Sequence, residues 1–532
     1  MSRSLFIALL IISLAAGLTL WYVTPAGIGL TNDSTAYIAG ARSILAGTGY
    51  SDIWLDSSLE ALTHYPPLFS LTLAAIGLLG LDPLRGARLL NIFLFAANTG
   101  LMGLLGWKMT RSQLSSLLLA LLFALSAPLL TIHAYALSEP LFLFFSFLAF
   151  TFFDFAMDDR KKEREKKNLS SPFFFLCGLA ASLATLARYS GLALTATFIL
   201  STFLIIPTWR EKLKKIAIFL AGVIPPLAAW FIRNRLVAES ATNRSFVFHP
   251  VLAEKTRIAI YNFSQWLMPI ETWRRGLVKS GIMEWILILL GAALLIWVLS
   301  RAWALFFRPE SVSLSTYIPF TTALYILGYL GAVLFSMSFF DASTKFQPRI
   351  LSPLYISLMV LFVFLLNRTA KAAKNARKPI KNFALFVCFA VGFISLGFST
   401  FDFRLTTLEL RSSAGLGYGS WQWRDSEVMA ELKKLPPDVA IYTNSPPAVY
   451  FVTGRASRVV PTPVDPVDDK ARGNYQQDMA SMKADILTGR AVLALFDTSS
   501  VDESTGGDNQ NEYISGLKLL LKAQGDVLYG KP

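Results

Sequence analysis

The chain of 532 residues is 54% hydrophobic and 16% charged, whereas an ordinary soluble domain carries roughly 25% charged residues. That deficit excludes a water-soluble main body, and the two cysteines, Cys177 and Cys388, lie in separate apolar runs that exclude a disulfide framework. The formal charge of +14 sits largely in short loops between apolar runs, which is the positive-inside pattern of a membrane protein and not the footprint of a nucleic-acid binder.

The first apolar run, about Leu5 to Val23, follows Arg3. It reads as a retained helix, because nothing like a small-residue cleavage site precedes a soluble domain. With the amino terminus inside, residues 24–86 lie outside. Within them Ser34 to Leu45 reads as a short juxtamembrane helix. The apolar stretch Pro66 to Gly80 is too short to span a hydrocarbon core of about 30 Å, and its Pro66-Pro67 suits a helix start. It is therefore expected to lie in the outer interface.

The remaining spans are expected near 87–107, 112–131, 139–157, 172–188, 191–207, 216–232, 281–300, 314–338, 350–367 and 382–400. Helices are the form for such repeated crossings, since each satisfies its own backbone groups. This parity puts three basic clusters inside: Arg160 to Lys167, Arg210 to Lys215, and Arg368 to Lys381. It puts the tail outside. Residues 401–532 are more polar and read as a small α/β domain. Helices are expected over Arg424 to Leu435, Tyr475 to Leu487 and Glu512 to Ala523, with strands at Val439 to Thr443, Ala491 to Phe496 and Val527 to Tyr529. No glycine-rich phosphate loop or nucleophile elbow is present, and Gly506-Gly507-Asp508-Asn509 reads as a surface loop.

The expected outer loops hold Asp33, Asp52, Asp56, Glu60, His64, His133, Glu139, Arg233, His249, Asp341 and Arg349, with Arg88 and Arg188 near outer helix ends. Loops need polar residues for solvation, and arginines at helix ends snorkel. The combination says more than its members. A carboxylate just behind the first helix could serve as a general base, and arginines at helix ends match the geometry of a phosphate. A lipid phosphate is the substrate such a pocket suits.

Seven segments stand in order along the chain: Asp33-Ser-Thr-Ala-Tyr37, Gly47-Thr-Gly-Tyr50, His64-Tyr-Pro-Pro-Leu68, Ser138-Glu-Pro-Leu-Phe142, Leu186-Ala-Arg-Tyr-Ser-Gly191, Ile232-Arg-Asn234 and Pro348-Arg-Ile-Leu-Ser-Pro353. Together they resemble the GT-C class of polyprenyl-phosphate-sugar-dependent glycosyltransferases, whose bacterial relatives include protein O-mannosyltransferases and lipid A aminoarabinose transferases. The resemblance covers roughly residues 1–400. It implies a polytopic α-helical membrane protein of about eleven transmembrane helices, with juxtamembrane helices in the first outer loop.

The implied function is inverting transfer of a sugar from a polyprenyl-phosphate donor to a lipid, glycan or protein acceptor at the outer face of the inner (plasma) membrane. The resemblance assigns Asp33 as the catalytic base. Arg349, with Arg188 and Arg88, is expected at the donor phosphate, and Tyr37, Glu139, Arg233 and Asn234 in the substrate pocket. Some relatives carry a divalent metal, for which His64 and His249, with Glu139, are the matching ligands; imidazole and carboxylate suit zinc or manganese.

Two positions depart from the family pattern. Ser34 replaces the second residue of an acidic pair, and Tyr65 stands where aminoarabinose transferases place a phosphate-binding lysine. The competing reading is a transporter or flippase of lipid-linked glycans, which should instead carry polar or broken helices near the midplane in repeated halves.

Overall fold

The computed structural model describes the chain except for residues 57–59, 164–169, 239–245, 251–252, 269, 308–316, 341–343, 375–377, 466–469 and 498–508. Asp341, Gly506 to Asp508 and parts of the first and third basic clusters therefore lie outside the described residues.

A helical body fills residues 3–412. The amino-terminal helix α1 is Arg3–Val23, and the first loop carries α2 (Asn32–Leu45) and α3 (Leu68–Gly77). Then follow α4 (Pro83–Thr110), the bent pair α5 (Gln113–Ala124) and α6 (Ala127–His133), α7 (Glu139–Glu163), α8 (Ser170–Ala187), α9 (Gly191–Ile205) and α10 (Trp209–Val237). A second stretch between long helices holds the short α11 (Ala253–Leu267) and α12 (Glu271–Lys279). The body ends with α13 (Ile282–Phe307), α14 (Tyr317–Phe339), α15 (Pro348–Lys374) and α16 (Lys378–Ser412).

Eight of these helices are long and apolar enough to cross a membrane, or nine if α5 and α6, bent by 58°, form one broken span. The shorter α8 and α9 are equally apolar, so each of the eleven expected spans falls on a helix or on that bent pair. α13 and α16 bury little of themselves in the protein and turn their apolar surface outward, which leaves lipid as their natural solvent. α3 has 10 residues, about 15 Å of helix, and packs against α2, α4 and α8. It is too short to span, in keeping with an interfacial position.

Small residues set the closest crossing. A Cβ on Gly178 of α8 would stand 2.0 Å from the Phe219 carbonyl oxygen of α10, and one on Gly222 of α10 would stand 2.4 Å from that of Phe175. The two glycines let the backbones touch where lipid offers no hydrophobic drive for association. Elsewhere phenylalanines fill the interior: Phe123 meets Phe147 edge-to-face, and Phe198 meets Phe150 edge-to-face and Phe153 at a tilt.

The tail folds on a five-stranded mixed sheet in the order β2-β1-β3-β5-β4. Its strands are β1 (Ala440–Thr443), β2 (Arg458–Val459), β3 (Ala491–Leu495), β4 (Lys518–Ala523) and β5 (Asp526–Gly530). Around it lie α17 (Trp421–Arg424), α18 (Glu427–Lys434), α19 (Pro446–Thr453), α20 (Tyr475–Leu487) and α21 (Asn509–Ile514). β1 runs parallel to β2 and β3, and β5 antiparallel to β3 and β4.

The expected helix over Glu512 to Ala523 is corrected here: its second half is β4. Gln524 and Gly525 adopt φ of 50° and 92°, the left-handed pair that a tight hairpin needs, and this folds the Leu-rich segment back along β5. Tertiary pairing overrides the helical propensity of the lysines and leucines.

The tail clasps the first loop. Leu30 bridges Gly417, and Leu55 bridges Ser457. Asp56 pairs with Arg458 at 2.9 Å. Arg42 reaches the Tyr450 hydroxyl at 3.3 Å.

Candidate active site

Four helix ends meet behind that loop. Thr31 caps α2 through a reciprocal exchange with Ser34: the Ser34 N–H donates to Thr31 Oγ1 at 3.4 Å, and the Thr31 N–H to Ser34 Oγ at 2.9 Å. The box fixes the first turn of α2 and with it the direction of Asp33. It also explains Ser34, which closes the cap where a second carboxylate was expected.

Glu139 is the first residue of α7, where the helix dipole favours a negative charge. Its entry is held from below: Asn98 donates to the Pro140 carbonyl at 3.0 Å and lies 3.3 Å from His133 Nε2. His133 Nδ1 is 2.7 Å from the Leu129 carbonyl oxygen, so Nδ1 carries the proton and Nε2 accepts. Fully buried, with its ring tilted against that of Phe95 at 4.7 Å, His133 is a structural residue of the α6 end and not the loop residue expected from sequence.

Arg349 lies in the first turn of α15. Pro353, one turn on, has no N–H to give to the Arg349 carbonyl; Ser352 Oγ donates to it instead at 2.7 Å. Arg188 follows the last residue of α8, where the dipole favours a cation.

These ends bring Asp33, Glu139, Arg188 and Arg349 together. Arg349 donates a hydrogen bond to Asp33 Oδ2 and stands 3.8 Å from Glu139 Oε1. Arg188 approaches the same Oε1 to 2.6 Å. The Glu139 side chain is only 2% exposed, whereas Asp33 keeps 21%, so Asp33 is the carboxylate that a substrate can reach. Neither oxygen of Glu139 has an aligned hydrogen-bond donor; its partnership with the arginines is one of charge.

Tyr37 closes one wall, with its hydroxyl 2.9 Å from Ser138 Oγ. Burial first, and then the Asp33 charge, hold the phenol well above its usual range, so it stays a neutral hydrogen-bonding group. Tyr329 of α14, not singled out from sequence, donates to the Ile350 carbonyl at 2.8 Å beside Arg188. A lone tyrosine inside an apolar span offers no pattern to find it by.

The other expected site residues lie elsewhere. Arg233 donates to the carbonyls of Leu62 at 2.6 Å and Tyr50 at 2.9 Å, and to Asn234 Oδ1 at 3.0 Å. Tyr189 donates to the Thr63 carbonyl at 3.2 Å and accepts from Trp230 at 3.0 Å. Together they pin the returning half of the first loop. Arg88 donates to Thr24 Oγ1 at 3.1 Å and to the Trp21 carbonyl at 3.0 Å, at the carboxy-terminal end of α1.

Within the loop Asp52 is 8% exposed, with no donor on Oδ1. Burial, and then Glu60 beside it, push its carboxyl up to about 6.

The expected metal set does not gather. Among the described residues no three His, Cys, Asp or Glu side chains come together as a metal site. Glu139 faces two guanidinium groups that already meet its charge, His64 packs edge-on against Tyr65, and the His249 backbone N–H donates to the Ser338 carbonyl.

Comparison with known proteins agrees with this architecture. The family model of dolichyl-phosphate-mannose-protein mannosyltransferases matches residues 53–233. No curated protein matches in sequence. The apo crystal structure of ArnT from Cupriavidus metallidurans aligns with a TM-score of 0.52 at 14% identity, over 98% of this chain and 97% of that one. The same protein bound to undecaprenyl phosphate gives 0.53 at 13% identity, over 98% and 97%. The Archaeoglobus fulgidus oligosaccharyltransferase complex with zinc and sulfate gives 0.57 at 12% identity, over 98% of this chain and 73% of that one. The chain has the fold of these solved structures, the GT-C fold, and its residues 53–233 match the mannosyltransferase family model.

Proposed function

We propose that this protein is an inverting glycosyltransferase that moves a sugar from a polyprenyl-phosphate donor to an acceptor hydroxyl on the extracytoplasmic face of the plasma membrane. One observation carries this reading: an accessible carboxylate, Asp33, shares its site with two arginines and a buried glutamate drawn from four helix ends. Three of those ends, at Asp33, Glu139 and Arg349, are helix N-termini, whose positive dipoles add to the arginines in favouring an anion.

In the reaction the acceptor oxygen attacks the anomeric carbon as the bond from that carbon to the phosphate oxygen breaks. Asp33 takes the acceptor's proton. The leaving group is a lipid phosphate with a second pKa of about 6, so it needs charge stabilisation more than protonation, and Arg349 and Arg188 supply it. The proton then passes from Asp33 to the departing phosphate or to water. A single displacement inverts the anomeric centre. One reachable carboxylate suffices, where a glycosidase would need a pair.

Arg349 has two roles in this scheme. Before the donor arrives it neutralises Asp33; as the donor phosphate binds, the guanidinium turns to it and releases the base. The Cupriavidus metallidurans neighbour bound to undecaprenyl phosphate and an archaeal oligosaccharyltransferase in complex with a dolichol-phosphate support a lipid phosphate as the donor's carrier. A transporter would set its charges near the midplane; here they stand at helix ends. The test is Asp33→Asn in purified protein with lipid-linked donor. Transfer should be lost while donor binding persists, and unchanged transfer would remove Asp33 as the base.

A further inference from the structure

A cavity of about 750 Å³ opens between the segment that follows α1, the first turns of α4 and the carboxy-terminal domain. Four cations line it: Arg85 and Arg88 from α4, Arg424 from the end of α17, and Lys433 from α18. No carboxylate lines it, and none of the four makes an ion pair with a described acidic residue. Asp82, the N-cap of α4, feels the charge of Arg85 but is held by Arg42 through two hydrogen bonds of 3.0 Å. The rest of the wall is apolar, with Leu84, Leu89 and Phe451.

Below the cavity the surface belongs to lipid. Leu89 is 51% exposed, and Trp21 and Tyr22 at the end of α1 are 57% and 49% exposed, the aromatic pair expected at a membrane interface. Four cations above an apolar, lipid-facing helix pair match an amphiphile whose head is anionic and whose tails are hydrocarbon.

We propose that this cavity binds the phosphate headgroup of an anionic lipid in the leaflet on the side of the carboxy-terminal domain, with the acyl chains lying along α1 and α4. Two of the cations come from the membrane body and two from the domain, so one headgroup ties the two together. Asp33, Glu139, Arg188 and Arg349 do not line the cavity, and the proposal does not depend on the chain being a transferase.

The test uses the full-length protein, stripped of lipid in detergent and titrated with phosphatidylglycerol or phosphatidylcholine, with native mass spectrometry and thermal unfolding as readouts. Phosphatidylglycerol should be retained preferentially and should raise the melting temperature; phosphatidylcholine should do neither. The triple variant Arg85→Gln, Arg424→Gln, Lys433→Gln should weaken phosphatidylglycerol binding by at least roughly tenfold, since each cation near a membrane surface contributes appreciably to holding an anionic lipid. Lys433→Gln alone, at an exposed helical position, should fold normally and lose part of the preference. Equal retention of the two lipids would overturn the proposal, as would a folded triple variant with undiminished preference. Full competition by inorganic phosphate would also overturn it, because the site would then take a soluble anion.

Discussion

Arg349 and Asp33 are joined by a hydrogen bond across 316 residues of sequence, so the last polar helix end of the membrane body closes on the first. In the proposed mechanism that contact ties the availability of Asp33 as the base to the occupancy of the phosphate site. Arg349→Ala should therefore lower kcat/KM by roughly 10²–10³, the usual cost of removing one donor aimed at developing charge. Arg349→Lys should recover little, because an ammonium lacks the planar fork. Steady-state transfer with a purified lipid-linked donor checks both, and wild-type rates in the alanine variant would refute the role.

Arg188 and Glu139 should behave as a coupled pair. Arg188→Ala leaves a carboxylate that is 2% exposed with only Arg349 near it, and breaking a buried pair in this way costs about 3–5 kcal/mol. Adding Glu139→Gln should return part of that loss. A double-mutant cycle on thermal unfolding in detergent measures the coupling, and strictly additive effects would show that the pair does not act as one.

In the proposed mechanism Arg233 positions the first loop. Arg233→Ala removes two hydrogen bonds to the returning half of the first loop, and kcat should fall by roughly ten- to a hundredfold, as for small misplacements of reacting groups. Limited proteolysis of the loop should accelerate in parallel, and Arg233→Lys should restore protection in part. A lost activity with an unchanged proteolysis rate would mean that Arg233 acts at the substrate instead.

Asp52 gives the protein a pH dependence of known sign. Its carboxyl titrates at about 6 in the folded chain against about 3.9 when unfolded, so the native state binds the proton more tightly. Stability should fall as pH rises from about 4 to 6, by about 3 kcal/mol for a shift of this size, and stay low above it. Asp52→Asn should flatten that slope and raise the melting temperature above pH 6. Unfolding curves at pH 5 and pH 7.5 decide it.

The helical body was legible because apolar length is a one-dimensional signal: the spans fell where runs near twenty residues were read, and Pro66 to Gly80 proved a short helix. Asp33, Tyr37, Glu139, Arg188 and Arg349 were legible one by one, from their places in ordered motifs, but not as a cluster. Nothing in the sequence says that Arg188 would face Glu139 or that Arg349 would take Asp33. Arg233 and Arg88 looked the same as Arg349 in sequence, since each stands at a helix end; only packing gives the first to the loop backbone and the second to α1. Asn98 and Tyr329 escaped, and His133 was read as a loop residue, because single polar residues inside apolar runs carry no period. β4 was misread for a related reason: its strand state depends on a partner across a turn.

The clasp formed by Gly417 and Ser457 on the first loop has a bearing on how the protein is made. A chain leaves the ribosome from its amino terminus, so Asp33 enters the membrane early, without the residues that will complete its surroundings. Arg349 follows only with α15, and the segments that fasten Leu30 and Leu55 come last of all. Through most of its synthesis the nascent protein thus holds an unfinished centre. On the proposed mechanism the centre would be complete only late, once the carboxy-terminal domain has folded against the first loop.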